Sequence, residues 1–237
     1  MGDDQMRPED LTLEALDRDG ALQEALTGIL GGTRAEFLRR AALGSAALLG
    51  ALAAPAQAGG GGKARDLAIL NYGLAFEYLQ SGFYTEADTV GTIERMESDR
   101  ETWARTLGAH ERAHVRILKD VLGKSAAPKP FFDYRGVTED ADAFTRTAVA
   151  MEDLTVALLG GQAPRVSDKG LRAAFFSLLT VEARHAAWAR RIVGARPVGP
   201  PLDQPKTLAE VDKVVLSTRF IVDRPAMSGR RSPAFTG

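Results

Sequence analysis

The chain has 237 residues, 45% of them hydrophobic, which is enough for one sizeable core with flanking segments. Its 30 lysines and arginines nearly balance its 31 aspartates and glutamates, so no net field favours nucleic acid or an anionic membrane as its partner. The absence of cysteine excludes disulfides, thiolate metal sites and cysteine nucleophiles, and the three histidines confine imidazole chemistry to positions 110, 114 and 185.

The first 58 residues have the composition of a targeting segment. Residues 1–33 form an acidic, amphipathic leader. Residues 34–58 combine a basic start, an apolar run too short to span a membrane comfortably, and the small residues Ala56-Gln57-Ala58. This pattern predicts export with cleavage after Ala58, a periplasmic or cell-envelope location, and no stable membrane span after removal of the signal. An uncleaved anchor or an alanine-rich core helix is the alternative.

The export segment resembles a twin-arginine signal, whose pattern is Ser/Thr-Arg-Arg-x-Phe-Leu-Lys. The residues in register with it are Thr33, Arg34, Phe37, Leu38 and Arg39. Ala35 stands where the second arginine belongs, so the choice between twin-arginine and general secretion stays open.

Residues 59–66 are predicted as a glycine-rich linker, residues 67–195 as an all-α four-helix bundle, and residues 196–237 as a Pro-rich C-terminal extension and tail. In the bundle, four segments carry apolar residues at every third or fourth position. An ionisable residue interrupts each apolar stripe near its middle. These residues are Glu77 in the first segment, Glu111 and His114 in the second, Glu152 in the third, and Glu182 and His185 in the fourth.

Four carboxylates in one core need compensating positive charge, because a lone buried carboxylate costs several kcal/mol. Two histidines cannot supply that charge. Two divalent cations carry four positive charges and leave both imidazoles neutral as nitrogen donors. The charge balance therefore predicts a two-metal site.

The spacing of these residues agrees with this interpretation. Glu111 and His114, like Glu182 and His185, follow Glu-x-x-His, which places both side chains on one helix face about one turn apart. One Glu from each of two helices, with Glu-x-x-His from each of the other two, is the arrangement of ferritin-like di-iron and di-manganese proteins. That fold needs a long crossover, and residues 123–140 between the second and third helices can supply it.

Three sequence stretches resemble those of exported bacterial ferritin-like proteins related to plant desiccation-related proteins. They are Leu74-Ala75-Phe76-Glu77-Tyr78-Leu79, Gly82-Phe83-Tyr84 and His110-Glu111-Arg112-Ala113-His114. The resemblance covers about residues 65–222. It includes a short segment at 207–222 that we expect to pack against the bundle.

The resemblance implies two Fe or two Mn ions per chain. It implies that Glu111 and Glu182 bridge the ions, that Glu77 and Glu152 bind one ion each, and that His114 and His185 each donate one nitrogen. The implied partners are metal ions with oxygen or peroxide, and a homodimer is a further expectation. The implied activities are oxidation of Fe(II) by oxygen or peroxide and, with manganese, disproportionation of peroxide, in protection against oxidative or desiccation stress.

Two other functions stay open. His110-Glu111-Arg112-Ala113-His114 also satisfies the His-Glu-x-x-His motif of zinc proteases, although that function leaves Glu77, Glu152, Glu182 and His185 unused. The bundle interpretation instead leaves His110 on the helix surface or behind the ligands. The second alternative is a non-enzymatic stress protein in which the metals only stabilise the bundle. We expect Tyr78 and Tyr84 to pack in the core, although Tyr84, on the same stripe as Glu77, is also within reach of a ligand.

Overall fold

A computed structural model describes residues 62–222, and four long helices form its centre. They are α1 (Gly62–Thr89), α2 (Ser98–Leu122), α3 (Ala141–Gln162) and α4 (Lys169–Ile192). Helix α1 packs on α2 and α3 packs on α4, and the two pairs meet where α1 contacts α3 and α2 contacts α4. The prediction of an all-α four-helix bundle is confirmed. The predicted leader, export signal and C-terminal tail lie outside the described residues.

Helix α1 begins at Gly62, earlier than the predicted start at Leu67, so residues 62–66 are helical. The reason is a tertiary contact that local composition does not reveal. The buried carboxylate of Asp66 accepts hydrogen bonds from the backbone N–H groups of Ser167 (2.7 Å) and Asp168 (2.8 Å). The first turn of α1 is thereby fastened to the connection between α3 and α4.

The link between α2 and α3 runs along α1 from near its beginning to near its end. The side-chain amide of Asn71 donates to the carbonyl of Ser125 (2.9 Å), and further along the hydroxyl of Thr138 donates to the carboxylate of Glu86 (2.6 Å). Helix α3 therefore starts at the opposite end of the bundle from the end of α2. It runs parallel to α2, as the predicted crossover requires.

A glycine in α1 makes this close approach possible. A Cβ atom at Gly82 would collide with the hydroxyl of Tyr134, a buried residue of the link. That hydroxyl donates a hydrogen bond to the carbonyl of Leu79 (2.8 Å). The link therefore lies against the backbone of α1 itself.

The C-terminal segment folds back onto the bundle. Helix α5 (Leu208–Thr218) begins with a capping box in which Thr207 and Glu210 each bond the other's backbone N–H. Val211 and Val215 of this helix are buried, which agrees with the expected packing of the segment.

A short strand pair fastens the end of this segment to the crossover link. Strand β1 (Phe131–Phe132) pairs antiparallel with β2 (Ile221–Val222). The neighbouring N–H of Asp133 donates to the carbonyl of Phe220 (2.8 Å). The link between α2 and α3 and the C-terminal segment are therefore hydrogen-bonded to each other.

The core consists of two apolar clusters, and burial of each large side chain in them contributes about 1.5–3 kcal/mol. One cluster includes Phe83, Trp103 and Phe144, and the other includes Leu70, Leu118 and Phe175. In α2 and α4, the buried Glu-x-x-His residues separate the members of one cluster from those of the other. Along residues 62–222, no helix is both long and apolar enough to cross a membrane.

Candidate metal centre

Six ionisable side chains converge between the two apolar clusters, each from the middle of its helix. None is more than 3% exposed. Helices α1 and α3 supply one glutamate each, and α2 and α4 each supply a glutamate and the histidine three positions later, as follows: Glu77, Glu152, Glu111 with His114, and Glu182 with His185. The structure therefore brings together all six residues selected from the sequence.

The six side chains form two groups of four that share two members. One group is Glu77, Glu111, His114 and Glu182, and the other is Glu111, Glu152, Glu182 and His185. Within each group, one donor atom from each residue lies within 4.8 Å of the others. Glu111 and Glu182 belong to both groups, so their carboxylates join the two groups.

The donor atoms are close together, but they are not aligned as hydrogen bonds. His114 Nδ1 lies 2.9 Å from Glu182 Oε1, and His185 Nδ1 lies 3.1 Å from Glu111 Oε1. Neither Nδ1 atom, and neither oxygen of Glu77, Glu111 or Glu182, has a hydrogen-bond partner. Buried polar atoms are rarely left unpaired, and atoms that share a metal at about 2.1 Å lie about 3 Å apart. The donor set therefore fits a pair of divalent cations.

The carboxyl groups of Glu77 and Glu152 resist ionisation. Burial, together with the charge of Glu111, raises the pKa of Glu77 well above its usual value, against the opposing effect of His114. Burial likewise raises the pKa of Glu152, to about 8. Without metal, burial therefore favours the neutral carboxylic acid form of both groups.

The other four groups carry charges that cancel. Burial opposes ionisation of Glu111 and Glu182 too, but the imidazoles of His114 and His185 outweigh it and lower the pKa of both carboxyls. Burial disfavours the imidazolium forms, but the surrounding glutamates outweigh it and raise the pKa of both histidines. Two carboxylates then face two imidazolium rings. Divalent cations would supply positive charge to the same carboxylates in place of these protons.

The model of the ferritin-like domain family matches residues 65–195, which is more than half of the chain and includes all six side chains. The chain belongs to the ferritin-like family. No curated protein matches its sequence closely enough to add a relative. The resemblance seen in the sequence is therefore confirmed at the level of this family.

Tyr84 supports one ligand of the ferritin-like centre from behind. Its buried hydroxyl donates a hydrogen bond to Glu152 Oε1 (2.7 Å), which links α1 to α3. Its position on the same stripe as Glu77 indicated such a role. Tyr84 also lines a cavity of about 140 Å³ between α1 and α2, together with Gly108 and Arg112. A small molecule in this cavity would contact the side chain that orients Glu152.

His110 lies behind His185 rather than among the ligands. Its Nδ1 atom is 2.7 Å from His185 Nε2, with the two ring centroids 5.0 Å apart. Burial and the nearby charge of His185 lower the pKa of His110 to about 4, so this ring is neutral. Sequence reasoning left His110 without a partner. The available signal was its position one turn before His114 on the inward side of α2.

A buried polar pair was also missed. The hydroxyl of Thr155 lies 2.6 Å from the side-chain oxygen of Gln80, and both residues are fully buried. Gln80 is three positions after Glu77, and Thr155 is three positions after Glu152, so both lie one turn from a ligand. Their polar character on otherwise apolar stripes was the signal that could have found them.

Proposed function

We propose that this ferritin-like protein is exported, binds two Fe or two Mn ions, and uses them to oxidise Fe(II) or to remove peroxide. The observation that carries the proposal is the pair of overlapping donor groups, four glutamates and two histidines, buried with unpaired oxygen and nitrogen atoms. Oxygen and nitrogen donors without sulfur suit either metal.

A bound pair of such ions supplies redox chemistry toward oxygen or peroxide. The chain contributes the setting for that chemistry. Glu111 and Glu182 belong to both donor groups and so join them, and Tyr84 orients Glu152 through its hydroxyl. The apolar clusters on either side exclude bulk water, which strengthens the electrostatic interactions within the centre.

Two overall reactions are compatible with this setting. In disproportionation, two peroxide molecules give two waters and one dioxygen. In Fe(II) oxidation, one peroxide takes two electrons from two Fe(II) ions and two protons from solution, and gives two waters. Both reactions would limit oxidative damage outside the cytoplasm, which is the stress-protective role that we propose.

Metal content and gas release test the proposal directly. The full chain, stripped of metal and reloaded anaerobically with Fe(II) or Mn(II), is expected to hold two ions per chain by elemental analysis. After peroxide is added, an oxygen electrode separates the two reactions, because only disproportionation releases dioxygen. Glu111→Gln should lose both the metal and the turnover, and Glu94→Gln, at an exposed position, should keep both.

The alternatives give different results in the same assay. Two bound ions without turnover would assign the metals a stabilising role only. One zinc ion per chain, with peptide cleavage abolished by Glu111→Gln, would indicate a protease. The geometry does not favour the protease, because His110 contacts His185 and belongs to neither donor group, whereas the zinc motif needs His110 and His114 on one ion.

The proposed export is supported by the sequence of residues 34–58. Fractionation of a bacterial host that produces the full chain should place the protein outside the cytoplasm, and N-terminal sequencing should begin at Gly59. Recovery of the intact chain from the cytosol would contradict export and leave the metal centre unaffected.

A further inference from the structure

The two ring nitrogens of His185 face different partners. Nδ1 faces the donor groups, 3.1 Å from Glu111 Oε1, and Nε2 lies 2.7 Å from Nδ1 of His110. The planes of the two rings differ by 28°. Helix α4 supplies His185 and helix α2 supplies His110, so this contact also joins the two helices that carry the Glu-x-x-His motifs.

Only one hydrogen fits between two nitrogen atoms at this distance, and its position decides what His185 can bind. A neutral imidazole that gives the Nδ1 lone pair to a metal carries its hydrogen on Nε2. His185 must then donate to His110 Nδ1, and His110 must keep its own hydrogen on Nε2. A fixed acceptor behind a metal-binding histidine selects its tautomer and orients its ring.

The two donor groups differ in this kind of support. Glu152 accepts the hydroxyl of Tyr84, and His185 is backed by His110. Both oxygens of Glu77 are unpaired. Two members of the group containing Glu152 and His185 therefore have a hydrogen-bond partner outside the donor set, whereas Glu77 has none.

We propose that His110 is a positioning residue that fixes His185 in the tautomer that binds metal through Nδ1, and that it thereby makes the group of Glu152 and His185 the first to bind a divalent ion. This inference rests on the proposed metal centre. Removal of such a supporting group lowers metal affinity by about 10–100-fold.

The tautomers can be read in the wild-type protein. The chain has three histidines, so long-range 1H–15N spectra of the full chain loaded with diamagnetic Zn(II) contain three ring systems. We expect the hydrogen on Nε2 of both His185 and His110, with a scalar coupling between His185 Nε2 and His110 Nδ1. A hydrogen on Nδ1 of His110, or no coupling, would overturn the inference. This measurement does not depend on whether any variant folds.

Metal titration tests the order of filling. Wild-type protein titrated with Co(II) should bind two ions in distinct steps, and His110→Phe should weaken the first step by about 10-fold or more. His110→Gln should restore most of the affinity, because its carbonyl oxygen can accept the hydrogen of His185. Thr106→Val, one turn earlier in α2, should bind like wild type.

The outcomes separate this inference from the proposed function. Binding of two Co(II) ions that is unchanged by His110→Phe would overturn the role of His110 and leave the metal centre in place. Equal weakening by His110→Phe and His110→Gln would also overturn it, because Gln keeps a hydrogen-bond acceptor at this position and Phe does not. No metal binding by wild type would overturn the centre and this inference together.

Discussion

Glu111 and Glu182 differ from the other four donor residues because each belongs to both donor groups. Both have a lowered pKa, so they are the carboxylates that remain charged inside the metal-free core. A buried charge is tolerated when its partners are fixed close by, and here each carboxylate is followed one turn later by the histidine of its own helix.

This sharing predicts an unequal loss of metal among isosteric variants. Glu111→Gln removes a donor from both groups and should lower metal content from two ions per chain toward none. Glu77→Gln removes a donor from one group and should leave about one ion. Elemental analysis of the reloaded proteins measures the difference, with Glu94→Gln as the exposed control. Equal metal content in Glu77→Gln and Glu111→Gln would show that Glu111 does not bridge.

The six residues that converge in the core could be selected from the sequence because charge in the middle of an apolar stripe is costly and therefore informative. The contacts behind them could not be derived in the same way. The position of His110 places it on the inward side of α2 but does not specify which ring of α4 it meets. The pairing of Gln80 with Thr155 likewise depends on the axial offset between α1 and α3, which is determined only when the helices pack.

At the level of elements, periodicity predicted four helices and a long crossover, and both are present. Two features could not be predicted, because they depend on contacts between distant parts of the chain. The first turn of α1 is stabilised by Asp66 across the bundle, and strands β1 and β2 contain two residues each, too few for a periodic signal. Both features fasten the ends of the described chain to its middle.

Two adjacent glycines of α3 test the docking of the C-terminal extension. A Cβ atom at Gly161 would collide with the backbone carbonyl of Lys206, whereas one at Gly160 would meet only Pro205, at 4.0 Å. Gly160→Ala should therefore stabilise the protein by up to about 1 kcal/mol through helix propensity. Gly161→Ala should destabilise it by about 1–3 kcal/mol, because Lys206 must move and its hydrogen bond to Ala157 weakens.

Thermal unfolding and limited proteolysis measure this contrast. Gly161→Ala should unfold at a lower temperature and be cleaved faster in the Pro-rich segment at 195–207, and Gly160→Ala should show neither change. Equal behaviour of the two variants would mean that the extension does not depend on its contact with α3.

For the whole molecule, the metal-free centre links folding to pH. The pKa of Glu152 is about 8 in the folded chain, against about 4.3 for an unperturbed glutamate. Between these values the folded state binds more protons than the unfolded state, so this group's contribution to stability falls as pH rises. Glu77 acts in the same direction, and so do His114 and His185 as pH rises above their usual range. The lowered pKa of His110 acts in the opposite direction, but only below the usual pKa of a histidine.

Metal binding should reverse this dependence, because two divalent ions replace the protons of the centre. We expect the melting temperature of the metal-free protein to fall between about pH 5 and pH 8, and the increase produced by Mn(II) to grow over the same range. Glu152→Gln carries no titrating group at that position, so its metal-free melting temperature should depend less on pH. Differential scanning calorimetry with and without Mn(II) measures both effects. An increase with Mn(II) that is constant or shrinks as pH rises would mean that the buried protons and the metal do not compete for the same atoms.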